Sequence, residues 1–184
     1  MATHQLVTAE ELERMGEQDF GYELVRGELV PVTPAGDEHG TLAALIAGAL
    51  TAFVRPPQLG VVQVEAGYIL ARNPDTVRGP DVAFVSRERR AALGGRRRGF
   101  IPGAPDLAVE VRSTDTTLVE LSAKGREYLD AGTRLVWLVD PQSQTVQVHE
   151  PGREPRVVSV GAVLDGGDVL PGFALPLAEL FNEE

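Results

Sequence analysis

Residues 105–141, PDLAVEVRSTDTTLVELSAKGREYLDAGTRLVWLVDP, read as strand, loop, helix, turn and strand. In the first strand, Leu107, Val109 and Val111 share one face, and Asp106, Ala108, Glu110 and Arg112 the other, because strand side chains alternate. One face is purely apolar. The other carries a carboxylate and a guanidinium two residues apart. Thr117 and Glu120 predict a capping box that opens the helix. Leu118, Leu121, Tyr128 and Leu129 supply its apolar stripe, Lys124 lies at the edge of that stripe, and Gly132 closes the helix. Leu135 to Val139 is continuously apolar, as expected of a strand covered on both faces. Lys124 is the sole lysine of the chain.

The remaining segments fit an α/β domain built around this unit. Thr8 and Glu11 predict a second capping box, with Leu12 and Met15 on the helix and Gly16 ending it. Residues 22–32 predict two short strands joined at Arg26-Gly27. Asp37 is positioned to cap a helix running to about Val54, with Leu42, Leu45, Ile46, Ala49, Leu50 and Phe53 at helical spacing. Val61 to Leu70 predicts one strand, residues 71–79 a turn, and residues 80–85 a short strand entered at Asp81. The Arg-rich stretch from Ser86 to Pro102 is expected to be a long loop. Residues 145–150 and 156–160 predict a strand pair, 166–173 a loop, and 177–181 a final helical turn. No repeat or linker interrupts residues 1–184, so one domain is expected.

Composition narrows the chemistry. The chain contains no cysteine, which removes disulfides, cysteine nucleophiles and thiolate metal sites and suits a reducing cytoplasm. The three histidines are scattered, which argues against a histidine zinc site. No run is long and apolar enough to span a bilayer, so no membrane association is expected. A net charge of −10 opposes non-specific binding to nucleic acid, yet six of the 17 basic residues gather between Arg87 and Arg98.

Asp81, Glu110 and Lys124 form the chemical candidate, with Glu23 and Glu65 further out. Two carboxylates on neighbouring strands suit Mg²⁺, which takes oxygen ligands and keeps several waters. A nearby lysine could orient the attacking water or stabilise charge at phosphorus. Each residue also has a structural reading. Asp81 could cap a turn, Glu110 could pair with Arg112, and Lys124 could pair with Glu120 or Glu127 on the helix surface. Arg112 could assist Lys124 or replace it. Arg96, Arg97 and Arg98 would stand beside the acids and contact phosphates, or form a solvated loop. His39 is either a phosphate contact or a polar helix terminus.

The ordered set YELVRGEL (22–29), His39, PDVAFV (80–85), PDLAVEVRS (105–113), KGREYLDAGTRLVWLVDP (124–141) and VLPGFALPLAELF (169–181) resembles the bacterial Uma-two family within the PD-(D/E)XK nuclease superfamily. The resemblance implies a restriction-endonuclease-like core, a central mixed β-sheet flanked by helices with extra β-hairpins. It implies a Mg²⁺-dependent (or Mn²⁺-dependent) endonuclease acting on DNA as a homodimer. Asp81 and Glu110 would be metal ligands, Lys124 the lysine moved from strand to helix, and Glu23 the acid that completes the site. Arg112 stands where the superfamily ordinarily has its lysine. The alternative is a non-catalytic dimeric binding or scaffold protein that retains the fold.

Overall fold

The computed structural model describes residues 6–15 and 21–182; Gly16 lies outside them. Their centre is a six-stranded sheet in the order β11-β10-β9-β8-β6-β3. It is formed by β3 (Gly60–Val64), β6 (Val82–Ser86), β8 (Leu107–Val111), β9 (Leu135–Asp140), β10 (Thr145–His149) and β11 (Arg156–Ser159). β8 and β9 run parallel, and α4 (Leu118–Asp130) makes the crossover that parallel strands require. β6 lies antiparallel to β8 on its other side. The sheet is therefore mixed, with helices on both faces.

Alternation along β8 decides what each face carries. Leu107, Val109 and Val111 pack with Leu42, Ile46, Leu50 and Val54 of α2 (Asp37–Val54). Ala108 packs on the opposite face with Leu121 and Tyr128 of α4. Glu110 shares the parity of Ala108, so it enters the protein beneath α4 rather than at the surface. All six residues of β9 are buried, as its unbroken apolar run predicts. α4 can sit this close because Gly125 faces Leu138; a Cβ there would lie 3.1 Å from Leu138 Cδ1. Its capping box at Thr117 and Glu120 forms in full.

A second sheet, in the order β2 (Glu28–Pro31), β1 (Tyr22–Val25), β5 (Thr76–Arg78), β4 (Tyr68–Ala71) and β7 (Ile101–Pro102), supplies the other wall of the site. β1 (Tyr22–Val25) and β2 (Glu28–Pro31) form the expected hairpin. Arg26 and Gly27 both take positive φ, 50° and 81°, as a two-residue turn of this kind needs. Only glycine also fits at 27, where a Cβ would come 2.7 Å from Leu6 Cβ. β1 joins β5 (Thr76–Arg78) through one register pair, Leu24 with Val77. Both are buried with Ala9 and Leu12 of α1 (Ala9–Met15). The Thr8–Glu11 box opens α1 as expected.

Several boundaries differ from those the sequence suggests. The expected strand 61–70 is two strands in different sheets, β3 and β4 (Tyr68–Ala71), because the chain turns at Glu65 with φ 51°. The expected turn at 71–79 contains β5, paired with β4. Gly36, not Asp37, is the N-cap of α2, and no side chain caps it. The Arg-rich stretch holds α3 (Arg87–Ala92) and the short β7 (Ile101–Pro102). The expected loop at 166–173 lies within the ladder of β12 (Val163–Gly166) and β13 (Leu170–Pro176), which with α5 (Leu177–Phe181) covers the α2 face. Leu118, assigned to the core stripe of α4, is 44% exposed. Among the described residues, no helix is long and apolar enough to cross a membrane.

Candidate active site

Antiparallel pairing of β6 with β8, Val82 opposite Val109, brings Asp81 to the end of the sheet where Glu110 lies. The Val111 amide donates to Asp81 Oδ2 at 2.6 Å, which fixes the carboxylate across the two strands. His39 Nε2, from the first turn of α2, lies 3.2 Å from the same oxygen. That hydrogen bond, with the negative charges of Asp81 and Glu110, raises the imidazole pKa against the cost of burial. Its Nδ1 is buried without a hydrogen-bond partner among the described residues.

Glu110 is buried, and both of its oxygens are engaged. Lys124 Nζ donates to Oε2 at 2.9 Å and the Tyr128 hydroxyl to Oε1 at 2.7 Å. Lys124 and Tyr128 are one helical turn apart, so α4 delivers both to one carboxylate. Burial pushes the Glu110 carboxyl up to about 7 against the pull of Lys124, and repulsion from Asp81 and Glu23 adds to the rise. Lys124 is held well above the usual ammonium range, because attraction to Glu110 and Glu23 outweighs the cost of burial.

Glu23 closes the far side of Lys124, 3.1 Å from Nζ. Arg78 and the Gly79 amide donate to it at 2.7 and 3.0 Å. Lys124 and Arg78 hold the Glu23 carboxyl below its ordinary value despite its burial. Arg78 also donates to Glu127 at 2.8 Å, which ties the hairpin sheet to α4. Asp81, Glu110, Glu23 and Glu127 thus face three basic groups, Lys124, Arg78 and His39.

Among the described residues, no three His, Cys, Asp or Glu side chains form a preformed metal cage. An ion here would rest on the carboxylates of Asp81 and Glu110 with water or backbone oxygens, which is how magnesium is usually held. The donor set therefore fits Mg²⁺ and does not fit zinc.

The remaining candidates fall elsewhere. Arg112 does not join the acids. Its guanidinium donates to Asp140 at 3.1 Å, Gln142 at 3.0 Å and the Thr116 carbonyl at 2.9 Å. Although it shares Glu110's parity, its long side chain follows the strand past the site to the end of β9. The basic connection was expected to adjoin the acids, and the antiparallel pair does not allow this at its base. It leaves at Ser86 and returns at Asp106, roughly 16 Å along one strand from Asp81 and roughly 13 Å along the other from Glu110 at about 3.3 Å per residue. Arg89 is committed there to Asp106 and to the Ala104 and Gly132 carbonyls. Arg96, Arg97 and Arg98 are exposed, and Arg97 donates to the Leu93 carbonyl. Glu65 is exposed at its turn.

A family model described as "Uma2: Putative restriction endonuclease" matches residues 9–178. The chain belongs to the Uma2 family. Among solved structures, this Uma2 chain is similar to a crystal structure from Anabaena variabilis described as a putative nuclease belonging to DUF820. The TM-score is 0.81 at 22% identity, over 95% of this chain and 97% of the other. That likeness establishes the shared restriction-endonuclease-like fold. No curated protein matches.

Arg78 and Tyr128 are the members of this Uma2 site that sequence reasoning passed over, and Glu127, read as a surface partner of Lys124, pairs with Arg78 instead. Tyr128 was assigned to the helix core, which it also fills. Its spacing from Lys124 was the available signal. Nothing local distinguishes Arg78 from any arginine beside a turn.

Proposed function

We propose that this Uma2 protein is a Mg²⁺-dependent endonuclease that hydrolyses phosphodiester bonds of DNA. The observation that carries this reading is the sharing of Glu110: it adjoins Asp81 across two strands and is held by the chain's sole lysine from the helix above. Asp81 and Glu110 would hold the cation, with Mn²⁺ able to stand in. When bound, such an ion neutralises phosphate charge and lowers the pKa of water.

The protein's own groups do the rest. Lys124 supplies a fixed positive charge at the phosphorus centre, where charge grows as the water oxygen attacks. Glu23 keeps that lysine charged and aimed. Tyr128 and the Val111 amide hold the two acids in place, so little reorganisation accompanies the reaction. The new bond joins water oxygen to phosphorus, and the bond from phosphorus to O3′ breaks. Water loses one proton, O3′ gains one, and the products are a 5′-phosphate and a 3′-hydroxyl. A homodimer in the cytoplasm belongs to the same proposal, supported by the family resemblance and the absence of cysteine.

Plasmid nicking and linearisation with and without Mg²⁺ tests the reading. Native protein should cleave only with the metal, and Asp81→Ala and Glu110→Ala should not cleave. Equal cleavage by all three proteins would end it. Folded native protein that binds DNA without ever cutting would favour the non-catalytic binding module instead.

A further inference from the structure

We propose that Arg78 is a positioning residue which, through Glu23, sets where the Lys124 ammonium stands. The proposal rests on the endonuclease reading for its kinetic consequence and on geometry alone for the latch itself. Arg78 is largely buried, and its guanidinium spans two elements. NH1 reaches Glu23 on β1 at 2.7 Å, while Nε and NH2 both lie 2.8 Å from Glu127 Oε2 on α4. A planar guanidinium fixes the separation of the two carboxylates it bridges, which an ammonium cannot do.

Glu23 then divides its oxygens. Oε2 is held by Arg78, which leaves Oε1 for the Gly79 amide and for Lys124. Lys124 is balanced between Glu23 at 3.1 Å and Glu110 at 2.9 Å. Release of Oε2 would let the Glu23 carboxylate turn both oxygens toward Lys124 and draw the ammonium off Glu110. The same latch fixes the approach to Asp81, since Gly79-Pro80 leads from Arg78 straight into that residue. One arginine outside the reacting groups thereby sets the spacing between the acid of one strand and the lysine of the helix.

Lys124 is the only lysine, so its environment can be read chemically in the full-length protein. A pulse of acetic anhydride followed by peptide mass spectrometry gives its acylation rate, with the terminal α-amino group as internal reference. Arg78→Gln should lower that rate severalfold, because both Glu23 oxygens would then grip the ammonium. It should also lower kcat about 10- to 100-fold with little change in KM, the usual effect of losing a supporting contact behind a catalytic group. Arg78→Lys should rescue neither. The Arg78→Gln/Glu23→Gln double variant should be no slower than Glu23→Gln alone, because residues acting as a unit are non-additive. If Arg78→Gln fails to fold by circular dichroism, Glu127→Gln, at the more exposed end of the bridge, should show the same changes in smaller measure. Unchanged Lys124 acylation in a folded variant, or strictly additive losses, overturns the latch. Lowered acylation in a protein that never cleaves DNA supports the latch and rejects the endonuclease reading.

Discussion

Tyr128 donates its hydroxyl to Glu110 Oε1 at 2.7 Å from a fully buried position on α4. The bond completes the coordination of a buried carboxylate whose other oxygen belongs to Lys124. Tyr128→Phe keeps the ring and removes only the donor. Leaving a buried charged acceptor short of a partner costs about 1–3 kcal/mol. The melting temperature should fall accordingly, and cleavage should slow as Glu110 loses its fixed orientation. Calorimetry and single-turnover kinetics on the folded variant check both. A variant as stable and as fast as the native protein would remove Tyr128 from the site.

If Glu110 holds the proposed cation, its raised carboxyl should make binding pH-dependent. A metal ligand must be deprotonated, so binding below pH 7 expels a proton. With a value of about 7 in the free protein, Mg²⁺ should release close to one proton at pH 6 and almost none at pH 8. Apparent affinity should rise with pH up to about 7 and then level off. Titration calorimetry in two buffers of different ionisation enthalpy counts the protons. No release at pH 6 would show that Glu110 is not a ligand or is already ionised.

Glu23 should mark the acid limb of stability. Its folded pKa is depressed, so its contribution is present above the unfolded value of 4.5 and is lost as pH falls through the lower folded value. Native protein should therefore exceed Glu23→Gln in melting temperature near pH 7, and the two should converge as pH drops below about 4.5. A constant difference across that range would mean that the ion pairs with Lys124 and Arg78 add no net stability.

Gly125 tests how closely α4 must approach the sheet. Alanine there gains helix propensity of up to about 1 kcal/mol but places its Cβ 3.1 Å from buried Leu138. Valine adds two more carbons in the same place. Overpacking of this kind costs about 1–3 kcal/mol. Gly125→Val should destabilise the fold and, by lifting Lys124 and Tyr128 away from Glu110, reduce activity more than stability alone explains. Full activity at a temperature where the variant is entirely folded would refute that coupling.

The unit from β8 through α4 to β9 was legible because every local signal agreed. Strand alternation, a capping box and a continuous apolar run all pointed the same way. The order Asp81, Glu110, Lys124 was legible for the same reason, since each sits on an element the pattern defines. The hairpin sheet was less so. β1 meets β5 through a single register pair, and the turn at Glu65 needs a positive φ on a residue that does not advertise one. Arg112 misled because parity fixes only which face a side chain leaves from. Its guanidinium, several bonds further on, found Asp140. The reach of the basic connection could not be judged until β6 and β8 were known to be antiparallel, which places its base at the opposite end from the acids.

The most direct test is a crystal of the native protein soaked in Mn²⁺ and measured for anomalous scattering. One peak should lie between the carboxylates of Asp81 and Glu110, within about 2.0–2.3 Å of an oxygen from each, close to the distances such hard cations adopt. It should be absent from Glu110→Gln crystals. Full occupancy elsewhere on the surface, with no density between Asp81 and Glu110, would contradict the proposed active site.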